Sequence, residues 1–269
     1  AISRDYAAIV TGLTSLPLPI PGTSYGRARA ARDRLLARIR AAISDRRNDP
    51  TDDALSRMLA ADPAMTDRQA MLEVHHFVIA GFIVYLLMGE VVRRLAEDPE
   101  LLERCARELA GGPDRLTLES LADLPTCTNV VREAKRIVPL VPLAFGRARR
   151  SFRCGGYDVP AGWTVYLALH LNNHDARIFD VPDVFDPDRF SPARAENERH
   201  PMAFIPQGAP PATGHQCLGL QYSTLMVLAF MHRLIRRYRW SLPPQELRPD
   251  DRKVPPEPAD GLRVFVTRL

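Results

Sequence analysis

The stretch from Asn172 to Pro211 has neither helical nor strand periodicity, yet it is dense in Pro, Asp, Phe and Arg. So long a structureless segment inside a compact chain is usually functional. Within it, Phe185-Asp-Pro-Asp-Arg189-Phe190 flanks an arginine with aromatic residues. A guanidinium buried by aromatic neighbours needs a carboxylate partner. Well upstream, Glu133-Ala-Lys-Arg136 sets an acid and a base on one helix face. Alone, such a pair is an ordinary surface ion pair worth a few tenths of a kcal/mol.

The segments around this stretch are more regular. Tyr25 to Ala42 is rich in Ala, Arg and Leu at helical spacing and follows the stiff lead-in Pro17-Leu-Pro-Ile-Pro-Gly. Thr66 with Gln69 makes an N-terminal capping pattern for a helix expected to run to about Ala96. A further helix is expected from Pro99 to Ala110, closed by Gly111-Gly-Pro, then a short one near Leu118 and another from Thr126 to Ile137. Beyond Pro139, glycine and proline punctuate short runs such as Thr164-Val-Tyr-Leu-Ala-Leu, which fit small strands. After Cys217 a helix resumes to about Tyr238, with Leu220, Thr224, Val227, Leu228, Met231, Leu234 and Ile235 on one stripe. The fold class is therefore mainly α with small β-sheets.

Composition excludes several alternatives. The net charge is +4, from 36 Lys and Arg against 32 Asp and Glu, and the basic clusters at 27–40 and 147–153 hold no aromatic beyond Phe152, which argues against nucleic acid. The four cysteines, Cys105, Cys127, Cys154 and Cys217, form no Cys-x-x-Cys pair and follow no secretion signal, so a disulfide framework or zinc site has little support and a cytoplasmic location is expected. No uninterrupted apolar run reaches the roughly 20 residues of a membrane span. Phe77 to Met88, the longest, fits a buried helix, and no membrane association is expected.

Cys217 carries the chemistry. It lies in Gly-His-Gln-Cys-Leu-Gly at the start of the last long helix, where unpaired N–H groups and the helix dipole favour a thiolate. Spacing alone favours a small buried apolar side chain instead. Phe204-Ile-Pro-Gln-Gly208 ahead of it, and Gly219 just beyond, make an irregular loop in which a flat ligand can approach the sulfur closely.

Taken together, the order Glu-x-x-Arg, Pro-x-Arg-Phe and a cysteine loop entering a long helix resembles the carboxy-terminal, haem-binding portion of the cytochromes P450. The resemblance implies a single haem-thiolate domain over residues 1–269, of P450-like fold lacking much of the amino-terminal part. It implies haem b as cofactor, Cys217 as the iron ligand, and a structural triad of Glu133, Arg136 and Arg189. Arg147 and His215 would hold the haem propionates, Phe204, Gly208 and Gly219 would shape the cofactor loop, and Ala80, Gly81, Val84 and Tyr85 would form the distal side.

The chain departs from the family pattern at three points. Phe204 precedes Cys217 by an unusually long interval, through Gln207-Gly-Ala-Pro-Pro-Ala-Thr-Gly-His, in a manner similar to the fatty-acid peroxygenase branch, as is Asn173-His-Asp. Ala80-Gly81 is followed by Phe82, Ile83, Val84 and Tyr85 instead of an acid and an alcohol, so only Tyr85 could deliver a proton, and no arginine lies between His76 and Met88 to hold a substrate carboxylate. The chain is also short, so another chain or a further segment would complete the substrate pocket.

The activity implied is a monooxygenase or peroxygenase reaction on a small apolar substrate. Electrons would come from a ferredoxin-type donor, or the oxidant would be peroxide. The alternatives are a haem-thiolate isomerase, cyclase or dehydratase with no redox turnover, and a truncated haem-binding subunit without oxygenase activity.

Overall fold

Helix-forming runs closed by side-chain caps alternate with short loops through the first half of the computed structural model. It describes residues 2–113, 115–138, 140–209, 216–248, 250, 258 and 261–269. The chain divides into two compact units, the first over Ala1–Ile83 and the second over Val84–Asp251 with Pro255–Leu269.

The first unit holds α1 (Ile2–Leu13), α2 (Ser24–Asn48), α3 (Ala54–Ala61) and α4 (Asp67–Phe82). Tyr6 and Ile9 of α1 pack on Ala31 and Leu35 of α2, with Ile79 and Phe82 of α4 against them. A Cβ added at Gly12 would fall 2.2 Å from the Ala28 Cβ, so glycine there permits the close crossing of α1 and α2. A second cluster joins Ile39 and Ile43 of α2 to Leu59 of α3 and Ala70 of α4. Thr23 and Asp53 cap α2 and α3, and Thr66 with Gln69 makes the reciprocal box expected for α4. The sequence signals did not reveal α1 or α3, and α2 extends past the expected Ala42.

The helix expected to run from Thr66 to Ala96 is interrupted at Ile83–Val84, and α5 begins at Tyr85. Glycine at position 81 followed by β-branched Ile83 and Val84 gives this segment low helical propensity. By length and composition Asp67–Glu97 would suffice to cross a membrane, which counting uninterrupted apolar residues did not show. Its carboxy-terminal part nevertheless carries Glu90 paired with Arg93 and Arg94 at 2.6 and 2.7 Å.

The second unit is built on α5 (Tyr85–Glu97), α6 (Pro99–Gly111), α7 (Pro125–Ile137) and α9 (Leu220–Arg237). Leu87, Val91, Leu95, Leu109, Val130, Val131, Val227, Leu228 and Met231 form its buried apolar interior. The region near Leu118 is a single 3-10 turn, Glu119–Leu121. β1 (Ala144–Arg147) pairs antiparallel with β4 (Thr164–Leu167), and β2 (Phe152–Cys154) with β3 (Tyr157–Val159). After α8 (Leu169–Asn173) the chain runs through two 3-10 turns, Pro187–Phe190 and Glu196–Glu198. β5 (Tyr238–Ser241) and β6 (Phe265–Arg268) form a third antiparallel pair, anchored to α5 where Trp240 Nε1 donates to Val92 O at 3.0 Å. The mainly α fold with small sheets is thus the one observed.

The aperiodic stretch is held by a fully buried charge cluster. Arg136 grips Glu133 through two hydrogen bonds of 2.8 and 2.7 Å, and Arg189 Nε donates to the same carboxylate at 3.0 Å. The family resemblance supplied those three residues, which together leave one positive charge unbalanced. Glu196 balances it, accepting from Arg189 Nη1 at 2.7 Å, and all of these side chains are 0% exposed. Their remaining N–H groups donate to Asn173 O, Asp180 O and Val184 O, which satisfies the carbonyls of the loop itself. The ring of Phe179 lies 5.1 and 5.8 Å from the two guanidinium carbons.

Removing one partner leaves a buried charge uncompensated. Glu196→Gln should lower urea-unfolding stability by about 3–5 kcal/mol. Arg104→Ala, which breaks a half-exposed pair with Asp188, should cost at most about 1 kcal/mol.

Candidate functional site

The cysteine loop begins where α8 and the charge cluster end. Ile205 and Ala209 pack with Leu169 of α8, and Asn173 Oδ1 accepts from Ile205 N at 3.3 Å. Phe204 stands edge-on to Phe190 at 5.1 Å, beside Arg189, so the loop's first residue is seated on the segment that the cluster holds. Gly208 takes φ 90°, a left-handed turn that L side chains disfavour. Residues 210–215, and with them the expected propionate ligand His215, lie outside the described residues.

Cys217 re-enters beside this turn. Its backbone N–H donates to Gln207 O at 2.9 Å, and its own carbonyl accepts from Leu220 N at 3.2 Å as α9 begins. The thiol is exposed, and the Gln207 side-chain amide donates to Sγ at 3.8 Å. A Cβ added at Gly219 would sit 3.7 Å from Sγ and cover part of it, so glycine leaves one side of the sulfur open. The other cysteines offer less. Cys105 and Cys127 are buried, with the Cys127 thiol pushed up by its contact with Cys105 and by burial, and Cys154 lies in the β2–β3 hairpin.

Beneath the loop lies a residue that no sequence argument singled out. Lys135 is 3% exposed on α7. Its Nζ donates to Leu220 O at 2.9 Å and to Ser223 Oγ and Thr224 Oγ1 at 2.8 Å each, so all three ammonium protons meet acceptors on the first turn of α9. Burial pulls the amine down to about 7, the negative charge of Cys217 pulls it back up, and Arg132 adds to the fall. A signal was present: Lys135 follows Val131 by one helical turn, a cation on the apolar stripe of α7.

The remaining expected residues lie on β1 and from the end of α4 to the start of α5. Arg147 is exposed on β1, opposite Thr164, and forms no ion pair with another described residue. Ala80 is exposed and Gly81 half-buried at the end of α4, with open space where a Gly81 Cβ would stand. Val84, expected to line the distal face with them, is instead 3% exposed and packs into the second unit, while Tyr85 is 42% exposed.

A cytochrome P450 family model matches residues 23–260. The chain belongs to the cytochrome P450 family. It is 29% identical to a beta-amyrin 28-monooxygenase of Vitis vinifera over 97% of its length and 56% of that protein, and 28% identical to a putative cytochrome P450 120 of Synechocystis over 98% of its length and 61% of that protein. The chain therefore spans little more than half the length of the curated relatives it matches. Among solved structures, retinoic acid-bound cyanobacterial CYP120A1 superposes with a TM-score of 0.89 at 28% identity, over all of this chain and 63% of that one. Cytochrome P450EX alpha with myristic acid superposes with a TM-score of 0.75 at 25% identity, over all of this chain and 62% of that one.

The family implies haem, and the residues present fit it. Among the described residues no group of three or more His, Cys, Asp or Glu could hold a metal ion, whereas a haem iron takes a single thiolate from the protein. An exposed thiol at a helix N-terminus, left open by Gly219, suits that arrangement.

The depressed Lys135 ammonium has a stability consequence. Between about pH 7 and its usual range near pH 10.5 the unfolded chain holds a proton that the folded one lacks, so this group makes the fold more stable as pH rises through that window. Urea midpoints measured at pH 7 and pH 9.5 should differ by a positive increment that is absent in Lys135→Met.

Proposed function

We propose that this chain is the haem-holding portion of a P450-type oxidoreductase that oxygenates a small apolar molecule. The observation that carries the reading is the exposed Cys217 thiol, fixed between Gln207 and the first turn of α9. The Gln207 amide donates to that sulfur, the atom that would ligate iron. Arg147 would pair with a propionate, with His215 as a second anchor. Haem b, when bound, supplies the redox chemistry that no side chain of this chain can perform.

The chain's own residues set the limits of that chemistry. Ala80, Gly81, Phe82, Ile83 and Val84 present no proton donor, and the Tyr85 hydroxyl is the nearest group in sequence that could move one. The acid and alcohol that molecular oxygen with a ferredoxin-type donor would use are missing after Gly81, so peroxide is the oxidant proposed. The long cysteine loop, similar to the peroxygenase branch, supports the same choice. The apolar exposed side chains Val141, Leu143 and Phe145, leading into Arg147, suit an apolar substrate. A further segment or a second chain would close the pocket, and the unpaired, free cysteines support a cytoplasmic location.

The same apolar segment favours one second reading, a haem-thiolate isomerase, cyclase or dehydratase that needs no proton relay. The haem-loaded protein, offered myristic acid, retinoic acid and a triterpene with isotopically labelled peroxide or oxygen, distinguishes the two. Labelled product forming faster with peroxide is expected. Rearranged product alone, with no label from either oxidant, would overturn the oxygenation reading.

A further inference from the structure

Lys135, Ser223 and Gln207 form a connected path to the sulfur of Cys217. Lys135 Nζ donates to Ser223 Oγ at 2.8 Å, Ser223 Oγ lies 3.3 Å from Gln207 Oε1, and Gln207 Nε2 lies 3.8 Å from Cys217 Sγ. The serine hydroxyl has a second acceptor within reach, Leu220 O at 2.9 Å. That carbonyl also receives Lys135 Nζ at 2.9 Å and Thr224 Oγ1 at 3.0 Å. The threonine hydroxyl has that carbonyl as its acceptor, whereas the serine hydroxyl also reaches Gln207 Oε1, so turning the serine proton to Gln207 gives each hydroxyl its own acceptor. Accepting at Oε1 fixes which end of the amide faces the sulfur, since the Nε2 end is then the one turned to Cys217.

From this geometry we infer that Lys135 is a positioning residue for Cys217, acting through Ser223 to hold the Gln207 amide as a donor to the sulfur. The buried site makes the arrangement specific. A lysine 3% exposed is costly unless all its protons are met, and here each is met by the turn of helix that follows the cysteine. A donor held on the sulfur withdraws electron density from it, which weakens the electron push to a bound metal.

The sulfur can be tested with or without cofactor, so only the consequence for iron rests on the function proposed above. In the full chain with Cys154→Ser, the rate of Cys217 alkylation by iodoacetamide at neutral pH should fall about three- to tenfold in Gln207→Leu, Ser223→Ala and Lys135→Met. Ser223→Thr should keep the original rate, and Lys135→Met combined with Gln207→Leu should match Gln207→Leu alone. In the haem-loaded protein the same variants should raise the Fe–S stretching frequency and shift the reduction potential more negative. Unchanged or faster alkylation in Ser223→Ala and Gln207→Leu would overturn the inference, as would additive effects of Lys135 and Gln207. A protein that takes up no haem yet shows the alkylation pattern would overturn the proposed function and leave the positioning role standing.

Discussion

The buried cluster of Glu133, Arg136, Arg189 and Glu196 is the interaction on which the second unit depends. Two carboxylates and two guanidiniums at 0% exposure cancel in charge and spend their remaining donors on carbonyls of the loop between α8 and the cysteine. Ion pairs of this kind add little net stability over an apolar core of the same shape, so their contribution is geometric. They let a segment with no ladder of its own take one conformation. Phe190 follows Arg189 directly and supports Phe204, through which that conformation reaches the cysteine loop.

A second polar contact sets the other side of the loop. Lys135, on the same helix as Glu133 and Arg136, reaches the first turn of α9 just past Cys217. One helix thus supports both the entrance and the exit of the loop, through charge pairing on one side and a saturated ammonium on the other. The sulfur between them stays exposed while its backbone is fixed, which is the combination a metal ligand requires.

Much of this was legible in the sequence because local rules carried it. The Thr66 box, the proline and glycine that bound α6, and the apolar stripe of α9 each depend on neighbours a few residues away. Glu133, Arg136 and Arg189 could be joined through the family resemblance, since the residues alone gave only a surface ion pair and an arginine in need of a carboxylate. Glu196 could not, since it sits among exposed-looking charges at 194–199 and its burial is decided by the fold of the loop. Lys135 was visible as a cation on an apolar stripe, but its acceptors are 85 to 89 residues away and ordinary in type. The break at Ile83–Val84 was missed because apolar periodicity continues across it, while backbone propensity does not.

The central claim is that Cys217 ligates haem iron as a thiolate. The absorption spectrum of the reduced, carbon-monoxide-bound protein tests it most directly, with Cys217→Ser as the control. The account predicts a strongly red-shifted Soret band in the native sequence and its loss on substitution. A protein that takes up no haem, or a red-shifted band that persists in Cys217→Ser, would contradict it.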